Sequence, residues 1–103
     1  MTRDEARDAV LGAVDAERDW QAKRYSDEHD DSTVYSDLNY MVAVLTKYLG
    51  EVAGQAVNQA GYRAVDLEKV AVNSLKVAAV ATAVVESLVA TGRVSPEQLG
   101  DIH

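Results

Sequence analysis

The chain of 103 residues contains no cysteine, no phenylalanine, one proline and one tryptophan. Without cysteine, disulfides, thiolate nucleophiles and thiolate-bound metals are all excluded. Aromatic residues are 6% of the chain although hydrophobic residues are 48%, so the apolar material is almost entirely Ala, Val and Leu. Such side chains each bury a modest area. The fold must therefore rely on close helix packing or on burial shared with a second subunit. Basic residues are also scarce: 10 stand against 17 acidic ones, a net charge of -7. A chain so acidic is repelled by a phosphate backbone, and no nucleic-acid partner is expected.

Length sets further bounds. One small domain is all that 103 residues supply, with little core area to spare. The longest weakly polar run, Val77 to Val85, is interrupted by Thr82 and is too short to cross a bilayer. Residues Met1 to Asp8 mix charges and lack the apolar stretch of a signal peptide. A cytoplasmic protein without a membrane partner is expected.

The order of residues predicts an all-α chain with helices at about 3–24, 33–60, 64–91 and 96–99. Thr2 and Glu5 have the spacing of a capping box, and Ala6, Val10, Ala13, Val14 and Glu17 follow one helical face behind it. From Tyr25 to Thr33 no apolar period survives and turn formers cluster, which reads as a loop. Asp31 or Ser32 can cap the next helix, with Asp37 near its positive end. In that helix Leu38, Met41 or Val42, Leu45, Leu49, Val52 and Ala56 step by three and four. Gly50 and Gly54 lie inside it at a cost of roughly 1 kcal/mol each against Ala, which implies a close approach by another backbone or a bound group. Gly61 reads as the left-handed residue that ends it.

The third helix is the most regular. Leu67, Val70, Ser74, Val77, Ala81, Val84 and Leu88 form one row, and Val72, Leu75 and Ala79 a second beside it. From Val77 to Val85 almost no polar face is left, so burial on nearly all sides is expected. Three helices of one subunit do not easily enclose it. An antiparallel helical bundle completed by oligomerisation follows, as a homodimer or homotetramer through this helix. Thr91-Gly92 should end it, and Ser95-Pro96 should cap and open a short last helix.

Several stretches together carry a family resemblance. They are Glu17-Arg18, Gln21, Lys23 and His29-Asp30, then Val44-Leu45 and Leu49-Gly50-Glu51-Val52-Ala53, then Leu75-Lys76-Val77-Ala78-Ala79-Val80-Ala81 and Glu86-Ser87-Leu88. The succession, over about residues 14–90, resembles the MazG-like family of all-α nucleoside triphosphate pyrophosphohydrolases, and most of all its short single-domain phage and prophage members. The family's motifs are Glu-Glu-x-x-Glu on one helix and Glu-x-x-Asp on the next. That spacing gathers carboxylates around Mg²⁺, a hard cation that holds a triphosphate and activates water.

Carried over by the resemblance, the first motif falls on Lys47, Tyr48 and Glu51 and the second on Asn73 and Lys76. Only Glu51 keeps a carboxylate. Two lysines beside one carboxylate can take the place of a divalent cation, so Lys47–Glu51 and Lys76–Glu51 ion pairs are expected. Glu51 is then an ion-pair partner or, on the sharper reading, a retained metal ligand. For Lys47 and Lys76 the choice lies between a salt bridge and direct phosphate binding. Trp20, Tyr40 and Tyr48 are core aromatics or base-stacking groups, and His29-Asp30-Asp31 is a loop cluster or a metal site.

The resemblance thus implies a pyrophosphohydrolase-fold protein that has lost Mg²⁺-dependent catalysis and serves as a nucleotide-binding, regulatory or interaction protein. No cofactor is expected on that reading. One alternative keeps an active Mg²⁺ enzyme that borrows acids such as Asp37, Asp66 or Glu68 from another subunit. The other is a purely structural helical oligomer.

Overall fold

The computed structural model describes the backbone of residues 1–28 and 38–100, and within them the side chains of 1–23 and 38–100. Four helices follow one another: α1 (Arg3–Glu28), α2 (Leu38–Ala60), α3 (Leu67–Ala90) and α4 (Pro96–Gly100). The all-α expectation holds among the described residues. The caps expected at Asp31, Ser32 and Asp37, and the His29-Asp30-Asp31 cluster, lie outside them.

Local chemistry explains the helix ends. The Thr2 N–H donates to the Glu5 carboxylate at 3.2 Å and the Glu5 N–H donates to the Thr2 hydroxyl at 3.1 Å, the reciprocal box that satisfies two orphan donors. These bonds hold the Glu5 carboxyl below its ordinary value. α1 continues past the expected end at Arg24 to Glu28, because neither Gly nor Pro interrupts the chain between Gly12 and Gly50. Ser95 and Gln98 repeat the reciprocal box at α4, with bonds of 2.7 and 3.3 Å, and Pro96 takes the first helical position.

The α2–α3 turn departs from expectation. The Tyr62 N–H donates to the Gln59 carbonyl at 3.1 Å and the Arg63 N–H to Asn58 at 2.8 Å, a Schellman closure. Its left-handed residue is Tyr62, at φ 58, and Gly61 sits one position earlier. α3 closes in the same way with Gly92 at φ 74, its Gly92 and Arg93 N–H groups reaching Val89 and Leu88. α3 begins at Leu67 rather than near Ala64, because Asp66 adopts an extended conformation and its carboxylate accepts the Lys69 N–H at 3.0 Å. The buried side-chain oxygen of Gln55 accepts the Asp66 N–H at 2.8 Å and so ties the turn back to α2.

The three long helices run up, down and up. Tyr48 faces Lys76, Glu51 faces Lys69 and Gln55 faces Asp66 across the antiparallel α2–α3 pair, while α1 lies along α3 on its other side. The core is small. Met41, Ala79, Val80 and Ala83 are its buried apolar residues, with Tyr40, Val44, Leu45, Tyr48 and Val84 packed around Met41 and Val80.

Helix phase differs from the predicted stripes. Leu38, Val42 and Leu49 of α2 are more than half exposed, as is Val10 of α1. On α3, Leu67, Ser74 and Ala81 are exposed while Ala79, Val80, Ala83 and Ser87 are buried. Burial on nearly all sides is therefore not reached within one chain. A helix that is apolar all round carries no strong amphipathic phase, so the charges on its neighbours decide its rotation.

Candidate functional site

The five motif positions occupy the facing sides of α2 and α3, but their side chains divide into two groups. Near the α2–α3 turn, Glu51 pairs with Lys69 at 2.8 Å, both side chains nearly half exposed. The Lys69 hydrogen bond and charge, with Lys47 adding to them, hold the Glu51 carboxyl below its usual range. The Glu51 carboxylate in turn raises Lys69. The expected bonds from Lys47 and Lys76 to Glu51 do not form. Lys69 takes the carboxylate because the antiparallel pairing sets it directly across from Glu51. The Asn73 amide meanwhile donates to the Lys69 carbonyl of its own helix at 2.9 Å.

Deeper along α3, Lys76 turns toward α1. Its ammonium donates to Glu17 at 3.2 Å, with both side chains largely covered, and lies 5.3 Å from the Trp20 ring centroid and 5.5 Å from that of Tyr48. The negative ring faces and the carboxylate all favour the ammonium. Lys47 approaches the same Tyr48 ring at 5.8 Å. Gln21, wholly buried, donates its amide to Glu17 at 3.4 Å while its carbonyl oxygen finds no protein partner. One helical position from Glu17, the largely buried Arg18 donates to Glu86 at 2.8 Å. Two ion pairs thus fasten α1 to α3.

Glu17 and Lys69 are the partners that sequence reasoning did not assign. An antiparallel register drawn from the Gly61 turn, placing Glu51 against the first turns of α3, is the signal that points to Lys69. For Glu17 the signal is its place on the buried face of α1.

This arrangement has clear chemical consequences. Two ammonium groups neutralise two carboxylates, and Lys47 adds a further positive charge beside them. Among the described residues no three His, Asp or Glu side chains converge as a metal site. Asp66 is committed to capping α3, and Glu68 lies in that helix's first turn. Comparison with protein-family models, with characterised proteins and with solved structures finds no match.

Proposed function

We propose that this chain is a MazG-like helical bundle, a cytoplasmic oligomer of nucleotide-pyrophosphohydrolase fold that has lost Mg²⁺-dependent cleavage and acts as a nucleotide-binding or regulatory protein. One observation carries the reading: at the motif positions the one remaining carboxylate, Glu51, is bonded to Lys69, and Lys76 stands where the pattern has a carboxylate and is bonded to Glu17. A triphosphate needs positive charge at this place, and in this chain lysines supply it where the family uses a metal. Lys47 and Lys76 on the Tyr48 ring are the groups for the phosphates. The Trp20 ring, 47% exposed, is the surface for a base.

The test is a thermal-shift series with nucleoside triphosphates, with and without Mg²⁺, beside a pyrophosphate-release assay. Binding stabilises the folded state by mass action, so a rise in melting temperature that does not require Mg²⁺ and disappears in Lys47→Ala/Lys76→Ala is expected. Pyrophosphate release that depends on Mg²⁺ and is abolished by Glu51→Gln would overturn the reading in favour of an active enzyme. That second reading needs carboxylates lent by another subunit, since Glu51 is bonded to Lys69 and no three acids converge among the described residues. No shift with any nucleotide supports the purely structural oligomer.

A further inference from the structure

α3 is long and apolar enough, by length and composition alone, to cross a membrane, yet what fastens it to α1 is polar. Glu17, Trp20 and Gln21 share one side of α1 at steps of three and four. Lys76 of α3 reaches in among them, with the Tyr48 ring of α2 also against its ammonium. All three long helices meet at this one group. Exposure grades through the cluster: Gln21 is wholly buried at its floor, the Glu17 and Lys76 side chains are 18% and 25% exposed, and Trp20 forms the open rim.

The hydrogen bonds of the cluster do not balance. Glu17 Oε1 accepts from Lys76 Nζ at 3.2 Å and also from the Gln21 amide nitrogen at 3.4 Å. That carboxylate fixes which way the Gln21 amide lies, because turning it over would set carbonyl against carboxylate. The Gln21 carbonyl oxygen is left as a buried acceptor with no partner in the protein. A buried polar atom in that state carries its full desolvation cost, and almost all such atoms in folded proteins are satisfied. The site is therefore short of one hydrogen-bond donor.

The surroundings restrict what that donor is. A second cation is disfavoured, because the Lys76 ammonium already holds the carboxylate and Lys47 lies 5.8 Å from the same Tyr48 ring. An anion is disfavoured by Glu17. A neutral N–H group meets neither objection, and a flat ring that carries it has the Trp20 face to lie against.

We propose that Gln21 is a specificity-determining residue of the nucleotide site. Its carbonyl oxygen accepts a hydrogen bond from the exocyclic amino group of a base stacked on Trp20, so the site takes adenine- or cytosine-type bases and rejects their oxo counterparts. The proposal rests on the nucleotide-binding reading above and names its substrate class. The phosphates draw the Lys76 ammonium off Glu17, which opens the way from the Trp20 rim to the floor. An amino group then brings two N–H donors, one for the Gln21 carbonyl and one for the Glu17 carboxylate. Hypoxanthine and uracil have a carbonyl at that ring position, and its oxygen would face two acceptors with no proton between them.

Thermal-shift titrations without Mg²⁺ test this with nucleotides that exchange amino for oxo at one ring position, ATP against ITP and CTP against UTP. ATP should bind about tenfold or more tightly than ITP, or CTP than UTP, and the pair with the larger ratio names the ring size. Gln21→Met fills similar space with no polar group. In that variant the ratio should fall towards one through lost affinity for the amino member, with helical circular dichroism retained. A preference that survives in Gln21→Met, or an equal weakening of all four nucleotides, would overturn the proposal. So would equal affinities within both pairs in the wild type, a comparison that needs no variant to fold; Gln21 would then have an ordered water only, and the nucleotide-binding reading would stand. Mg²⁺-dependent pyrophosphate release from ATP, with the preference over ITP intact, would sink the loss of catalysis and leave Gln21 in its role. No shift with any of the four would sink both.

Discussion

Glu51 and Lys69 meet at 2.8 Å across the α2–α3 pair, the carboxylate of one helix fixed by the ammonium of the next. Folding lowers the Glu51 pKa from 4.5 and raises that of Lys69 from 10.5. The Glu51 contribution to stability is therefore complete above 4.5 and is lost as pH falls through the lowered folded value. The Lys69 contribution is complete below 10.5 and is lost as pH rises through the raised folded value. Thermal melts of wild type and Glu51→Gln should differ by a small, constant amount between these limits and converge in strong acid. A gap that persists after Glu51 is fully protonated would show that the side chain stabilises by packing alone.

The Glu17–Lys76 pair should be worth more than the exposed one. Both side chains are largely covered, so Lys76→Met leaves a carboxylate with only the Gln21 amide and should cost about 1–3 kcal/mol in urea unfolding. Glu17→Gln combined with Lys76→Met should cost less than the sum of the two single changes. Because Lys76 lies over the ring of the sole tryptophan, Lys76→Met should also shift the Trp20 emission maximum. Additive stabilities with unchanged emission would contradict the arrangement.

Tyr62 carries backbone strain that no packing offsets. It is left-handed at φ 58 and 99% exposed, so glycine can hold its place in the Schellman closure without loss of contacts. Tyr62→Gly is expected to raise stability by about 0.5–1 kcal/mol in denaturant unfolding, because glycine adopts this conformation freely. A destabilised variant would mean that the exposed ring makes a contact in the assembled protein.

Gly50 and Gly54 were expected to admit a close neighbour. Instead, a Cβ added at either position meets nothing within 4 Å. Gly50→Ala and Gly54→Ala should each stabilise α2 by roughly 1 kcal/mol through helix propensity, read as a higher melting temperature. Loss of stability at either site would place a partner's backbone against this side of α2.

By itself the sequence determined what hydrogen bonds within a few residues determine: the Thr2–Glu5 box, the Ser95 cap, the Gly92 closure, the position of Pro96 and the all-helical class. Each is settled by groups three to five positions apart, so no knowledge of the fold is needed. The tertiary structure alone decided which charges meet. Lys69 rather than Lys47 or Lys76 takes Glu51, and Lys76 takes Glu17, because the register of α2 on α3 and the placement of α1 set those distances. The tertiary structure also decided which face of α3 is buried. Ala and Val surround that helix almost evenly, so its pattern contains little angular information, and the ion pairs with α1 and the packing of Met41 on Val80 choose the rotation that leaves Ala71, Ser74, Ala78 and Ala81 exposed.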